Sequence, residues 1–232
     1  MADNRYTDGT YLKLNPSWGR EDAAYKTGFI LKLLNRNGIQ PEEVIEVGCG
    51  AGGILEILAR ENAIFKLKGY DISPQAIVLA NKINSAKINF YEEDILQNDN
   101  YHTNLLLVID VFEHVKDYYS MLGQLRNKSD YFIFHIPLDI SWRTILKPHV
   151  LLQQREGVGH IHYFSKEMAE WMLKDSGYSI IDWEYSASLS DRGLDVSLKG
   201  KIKKILRKLS YAINKNISVK LWGGYSMMIL AK

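Results

Sequence analysis

Residues 44–53, Val44-Ile45-Glu46-Val47-Gly48-Cys49-Gly50-Ala51-Gly52-Gly53, decide the fold. A short β-branched run stops at a glycine, three further glycines follow within five residues, and a helical pattern then covers residues 54–60. Strand, glycine turn and helix in that order give the Gly48-x-Gly50-x-x-Gly53 spacing a meaning. Glycines let the backbone approach a ligand closely, and the helix start offers unpaired N–H groups. Asp71 lies 21 residues after Gly50, at the end of the next expected strand. A carboxylate there accepts hydrogen bonds from the hydroxyls of an adenosine ribose. These features also fit a nicotinamide-dependent dehydrogenase. Glu46 argues for a different ligand, because a negative charge beside the turn disfavours a pyrophosphate and welcomes an ammonium or sulfonium group.

The pattern continues on both sides. Residues 21–36 read as a helix, with acids in the first turn, Arg36 in the last and Gly38 as the stop. Strands are expected at 65–70, 88–91, 105–109, 131–136, 180–185 and 225–231, and helices from Pro74 to about 83, at 118–126 and from the Ser165 cap to Gly177. Apolar runs such as residues 105–109 suit strands covered on both faces. The alternation predicts an α/β doubly wound, Rossmann-like sheet in one domain.

Composition excludes several classes. With 46% apolar and 24% charged residues and five prolines, the chain is neither disordered nor collagenous. No apolar run approaches the roughly 18–20 residues that span a bilayer. Residues 1–13 lack the apolar stretch of a signal peptide, and Cys49, the single cysteine, cannot form an internal disulfide, so a cytoplasmic setting is expected. The net charge of +2 conceals a division: nine Lys/Arg and no acid lie from Val196 to Lys232, leaving residues 1–195 at −7.

Glu46-Val47-Gly48-Cys49-Gly50, Asp71-Ile72, Glu93-Asp94-Ile95, Asp110-Val111-Phe112-Glu113-His114-Val115 and His160-Ile161-His162-Tyr163-Phe164-Ser165 occur in that order. Together they resemble the class I S-adenosylmethionine-dependent methyltransferases, particularly small bacterial members with E-V-G-C-G-x-G and D-V-x-E-H-V motifs. The resemblance implies a seven-stranded, mostly parallel sheet with an antiparallel last strand. It implies S-adenosylmethionine as cofactor, held by Glu46, Gly48, Cys49, Gly50, Asp71, Ile72, Asp94, Ile95, Asp110 and Val111. Asp94 would accept from the adenine amino group, and Ile95 would pack on the ring. Residues 1–40 are expected to form an N-terminal lid and helix, and residues 41–232 the methyltransferase domain, with a basic helical insertion at about 197–215.

Methyl transfer from a sulfonium needs positioning and, for a hydroxyl or protonated amine acceptor, a base. Glu113, His114, His160 and His162 are the candidates, with His114 first and Glu113 next as catalytic residues; a purely structural His114 is equally open. A His-x-His pair in a strand points to one side, but no third ligand has suitable spacing to His160 and His162, so no metal is expected and both are assigned to the substrate pocket. Tyr11, Trp18 and Lys26 are read as lid, cofactor or acceptor contacts, or as side chains packed on their own helix.

Residues 199–213 form a basic amphipathic helix. It could pack its apolar stripe on the domain, attract an acidic or glycan-linked acceptor, or lie on an anionic membrane surface; the acidic body argues against nucleic acid. The expected activity is O-methylation of a small molecule or a sugar of a glycan precursor, by a monomer or homodimer. N-methylation and, in another class, an NAD(P)-dependent oxidoreductase are the alternatives.

Overall fold

The computed structural model describes residues 4–61, 66–98, 101–187 and 198–232, with residues 198–200 and 203 described by backbone alone. Seven strands form one sheet: β1 (Glu43–Val47), β2 (Lys66–Asp71), β3 (Ile88–Glu92), β4 (Thr103–Ile109), β5 (Ser129–Leu138), β6 (Ile180–Ala187) and β7 (Tyr225–Ala231). Their order is β3-β2-β1-β4-β5-β7-β6. The first five pair in parallel, and β7 lies between β5 and β6, antiparallel to both. The chain therefore winds outward in both directions from β1 and β4. The carboxyl ends of those two strands, where the connections diverge, leave the crevice in which such sheets bind ligands.

The helices are α1 (Thr10–Leu14), α2 (Arg20–Arg36), α3 (Gly53–Glu61), α4 (Pro74–Ala80), α5 (Tyr118–Leu125), α6 (Trp142–Leu146), α7 (His149–Gly157), α8 (Lys166–Asp175), α9 (Leu198–Ile213) and α10 (Lys215–Trp222). Alternation along buried strands feeds two cores. Leu106 and Val108 of β4 pack with Phe132, Phe134, Leu122 and Met172 on one face. Leu105, Leu107 and Ile109 pack with Leu33 of α2 and Leu55 and Leu58 of α3 on the other. Each fully buried side chain of this size contributes about 1.5–3 kcal/mol.

Some elements differ from the sequence reading. β5 runs through Pro137 to Leu138 rather than ending before it. Its parallel partner β4 ends opposite His135, so beyond that point one side of β5 is an edge toward the crevice, where proline is tolerated. Helices α6, α7 and α10 carry too little apolar periodicity to stand out: α7 buries none of its residues, and α6 announces itself only through the Ser141/Thr144 capping box. Residues 160–164 are irregular, not a strand.

Helix α9 lies where the basic amphipathic helix is expected, and among the described residues its apolar stripe is not packed on the domain: Ile202, Ile205, Leu206, Leu209 and Ile213 are exposed, Ile213 by 86%. The face turned inward carries Arg207, Ser210 and Tyr211. Arg207 is buried, donates to the Tyr225 hydroxyl (3.1 Å) and the Gly224 carbonyl (2.9 Å), and lies 4.1 Å from the centre of the Tyr225 ring. Tyr211 stacks on the same ring, and Trp222 donates to Ser210. Arg207 is thus a packing residue, not part of a cationic surface. Among the described residues no helix is long and apolar enough to cross a membrane.

Candidate active site

A cavity of about 770 Å³ opens along the carboxyl edge of the sheet, between the ends of β1, β4 and β5 and beneath the N-terminal segment and α7. Its first end is the glycine turn. Gly50 has φ +54°, and a Cβ there would lie 2.5 Å from Trp18 Cδ1; on Gly48, at φ +68°, it would lie 2.8 Å from Val111. Only glycine admits both the backbone conformation and the approach of these neighbours. Asp71 fixes the turn from β2, accepting from the Gly50 N–H (2.9 Å) and the Ser73 N–H (2.8 Å). Burial raises its carboxyl from the usual range against these two bonds. Glu46 is 3% exposed, and its Oε2 has no hydrogen-bond partner among the described residues. Burial pushes its carboxyl up to about 8, although the Lys26 charge opposes this. Cys49 is buried in the turn, with its thiol pushed well up by burial.

Asp110, just past β4, divides the cavity. Its φ of +54° is unusual for a non-glycine residue and costs about 1–3 kcal/mol. Two partners hold it there: Lys26 Nζ at 2.6 Å from one oxygen and His135 Nδ1 at 2.5 Å from the other, with His135 Nε2 bonded to the Ser186 hydroxyl (2.8 Å). Burial alone would raise the Asp110 carboxyl; the charges and hydrogen bonds of His135 and Lys26 hold it well below its ordinary value. The same contact raises Lys26 despite its burial.

The other end is assembled on the short 3₁₀ turn Phe112–His114. The Glu113 carbonyl accepts the N–H groups of Ile161 (2.7 Å) and His162 (3.2 Å), docking residues 160–164 against the turn. The Glu113 side chain is 1% exposed, and neither carboxylate oxygen has a hydrogen-bond partner among the described residues. Burial, then the Asp110 charge, push its carboxyl well up. His114 Nδ1 meets the Tyr6 hydroxyl (2.8 Å) and the Gly159 carbonyl (3.2 Å); burial and the neighbouring His160 lower it to about 4. His160 Nδ1 meets Asp139 (2.9 Å), whose other oxygen accepts from Gln154 (2.7 Å).

The N-terminal segment covers both ends. Tyr11 packs edge-on against Trp18 and tilted against Tyr6. Gln75 of α4 donates to the Thr7 carbonyl, and Asn15 donates to Gly157 of α7, so the segment bridges the two sides of the crevice. The Tyr11 phenol is pushed up to about 12 by burial and by Asp110.

Of the residues singled out in the sequence, Tyr11, Trp18, Lys26, Glu46, Gly48, Cys49, Gly50, Asp71, Ile72, Asp110, Val111, Glu113, His114 and His160 line this cavity. Three do not. Ile95 is 1% exposed within the core, facing away from the expected ring contact, because its 3₁₀ turn directs it under the sheet. Asp94 caps that turn, accepting from Leu96 N–H. His162 diverges from His160, since the segment is not a strand, and packs edge-on against Tyr118 at 4.8 Å. Sequence reading missed Tyr6, His135, Asp139, Arg143 and Gln154. For His135 and Asp139 a signal existed: both sit at the carboxyl end of β5, the edge where ligands bind.

A family model described as a methyltransferase domain matches residues 19–182. A ubiquinone biosynthesis O-methyltransferase of Neisseria meningitidis serogroup C is 24% identical, covering 85% of this chain and 87% of that protein. Among solved structures, magnesium protoporphyrin IX methyltransferase from Synechocystis PCC 6803 with bound S-adenosylhomocysteine (SAH) superposes with a TM-score of 0.61 at 18% identity, covering 89% of this chain and 81% of that one. The plantazolicin methyltransferase BpumL in complex with SAH gives 0.59 at 18% identity, covering 96% and 86%. The residues present suit the cofactor: beside the glycine turn lies a buried Glu46 oxygen that lacks a hydrogen-bond partner among the described residues, a group that a cationic amino acid moiety would pair with. The chain belongs to the methyltransferase-domain family and is a class I enzyme dependent on S-adenosylmethionine.

Proposed function

We propose that the enzyme O-methylates a sugar hydroxyl of a glycan precursor, with the acceptor at the Glu113 end of the cavity. The observation that carries this reading is the group of hydrogen-bonding side chains at that end. Asp139, Arg143, Gln153, Gln154 and His160 line it beside Val115, Val150 and Val158, and their hydrogen-bonding groups suit a polyhydroxyl acceptor. The O-methyltransferase name of the Neisseria relative supports oxygen as the acceptor atom.

S-Adenosylmethionine, when bound, supplies the electrophilic methyl and a neutral thioether leaving group. Glu46, Gly48, Gly50 and Asp71 hold it, and Val111 walls it from the β4 side. Tyr11 and Trp18 exclude water above it. Glu113 and His114 lie beside the acceptor hydroxyl and promote loss of its proton, with Tyr6 orienting the His114 ring.

Delivery of the acceptor at an anionic membrane surface completes the reading. The exposed stripe of α9 is flanked by exposed Lys201 and Lys208, and α10 adds exposed Ile217 and Leu221. Helix α6 packs against α10, exposes Trp142, Ile145 and Leu146, and carries Arg143 into the cavity wall. An apolar stripe rimmed by lysines matches an anionic lipid surface.

The test incubates the enzyme and S-adenosylmethionine with two sugar acceptors, one nucleotide-linked and one polyprenyl-phosphate-linked, and analyses products by mass spectrometry. A methyl ether on a sugar hydroxyl is expected; methylation confined to amines or phenols in a parallel panel would contradict the reading. Vesicles containing phosphatidylglycerol should retain the protein, and Ile205→Ser with Leu209→Ser should release it.

A further inference from the structure

We infer that Glu113, His114 and His160 form a divalent metal site that takes the acceptor hydroxyl as an additional ligand. The inference rests on the acceptor lying at this end of the cavity. Each of the three residues brings one donor atom within 4.8 Å of the other two. Glu113 Oε1 is 3.9 Å from His114 Nε2 and 4.0 Å from His160 Nε2. A point equidistant from three such atoms lies about 2.5 Å or less from each, so a contraction of a few tenths of an ångström reaches the roughly 2.0–2.2 Å of zinc–nitrogen and zinc–carboxylate bonds.

The orientation of the rings supports this assignment. The opposite nitrogen of each imidazole is already engaged: His114 Nδ1 with the Gly159 carbonyl and the Tyr6 hydroxyl, His160 Nδ1 with Asp139, itself held by Gln154. A proton donated from Nδ1 to a carbonyl or carboxylate leaves the Nε2 lone pair free. This backing fixes metal-ligating histidines elsewhere. Both Nε2 atoms approach Glu113, whose oxygens are buried without a hydrogen-bond donor. An ionised carboxylate so placed is expensive unless a cation joins it. Two imidazoles and one carboxylate form the His₂Glu set of catalytic zinc sites and suit other first-row divalent ions, with positions left open. All three residues line the cavity in which the acceptor is proposed to lie.

The sequence concealed this site. Its His160–His162 pairing found no third ligand, whereas the fold sends His162 to Tyr118 and brings His160 beside His114 and Glu113. At the ion, the acceptor O–H bond breaks, its electron pair remains on oxygen and its proton passes to water. The oxygen then forms the new bond to carbon as the carbon–sulfur bond breaks, so a hydroxyl and a methylsulfonium give a methyl ether, a thioether and one proton.

The experiment titrates chelator-stripped protein with Co²⁺, followed by visible absorption, with Zn²⁺ competition and SAH calorimetry on the same sample. One Co²⁺ per chain is expected, displaced by Zn²⁺. His160→Gln should weaken binding at least tenfold, and Asp139→Asn, which leaves all three ligands in place, by about 10–100-fold; His162→Gln should leave it unchanged. Failure of the wild-type protein to bind Co²⁺ or Zn²⁺ would overturn the site, as would binding indifferent to both His160→Gln and Asp139→Asn. Stripped protein that binds SAH and methylates a sugar without metal would remove the metal site and keep the proposed function. Metal binding without any sugar methylation would do the reverse.

Discussion

The two ends of the cavity are built by different means. At the glycine-turn end, Glu46, Gly48, Cys49 and Gly50 are near neighbours in the chain, and a single strand step adds Asp71. At the acceptor end, Tyr6, Glu113, His114, Asp139, Gln154 and His160 come from four separated segments, joined by backbone bonds from residues 161 and 162 to the Glu113 carbonyl. Backbone conformation shapes the first end: three positive-φ glycines and one carboxylate. Side-chain hydrogen bonds over long sequence separations shape the second. Substitutions should therefore separate the two, affecting cofactor affinity at one end and turnover at the other.

The largest separation is expected from Glu113→Gln. Turnover should fall by about 10²–10⁴-fold while SAH affinity, measured by calorimetry, changes by less than about threefold. Equal losses in both would show that the ends do not function independently. Gly50→Val makes the opposite cut: its Cβ meets Trp18 and its φ is strained, so SAH binding should weaken by about 10–100-fold.

Glu46 gives a pH signature confined to the cofactor end. Its carboxyl is raised to about 8 in the folded protein, against the ordinary 4.5. The folded state thus binds more protons between those values, so its contribution to stability is full below 4.5 and is lost as pH rises toward 8. Glu46→Gln should consequently raise the melting temperature at pH 8 and change it little at pH 5. A cationic cofactor favours the ionised form, so binding near neutral pH should release a proton, visible as calorimetric heats that vary with buffer ionisation enthalpy. Heats independent of buffer would place the cofactor's charge away from Glu46. The smallest effect is expected from Tyr6→Phe, which deletes one hydrogen bond to His114, of about 0.5–1.5 kcal/mol, and should lower turnover several-fold without altering SAH affinity.

The same contrast explains what the sequence revealed. Strand, glycine turn and acid at fixed spacing are local, so the gathering of Glu46, Gly50 and Asp71 at one edge of the sheet could be read directly, as could the buried strands with their continuous apolar runs. Tyr6 and Asp139 become meaningful only when the fold brings them behind His114 and His160. Ile95 misled because its turn, closed by the Asp94 cap, rotates it into the core. Periodicity also identified helix α9 and its apolar stripe but left the packed face open, and an arginine stacked on Tyr225 makes the opposite face the one that packs.

One cavity is thus proposed to hold the cofactor at the glycine turn and the acceptor at Glu113, His114 and His160, and a crystal structure of the SAH complex would decide this. The ribose is expected on Asp71, the amino group beside Glu46 and the sulfur directed toward His114. An adenosine lodged among Glu113, His114 and His160, with the sulfur facing Asp71, would contradict it.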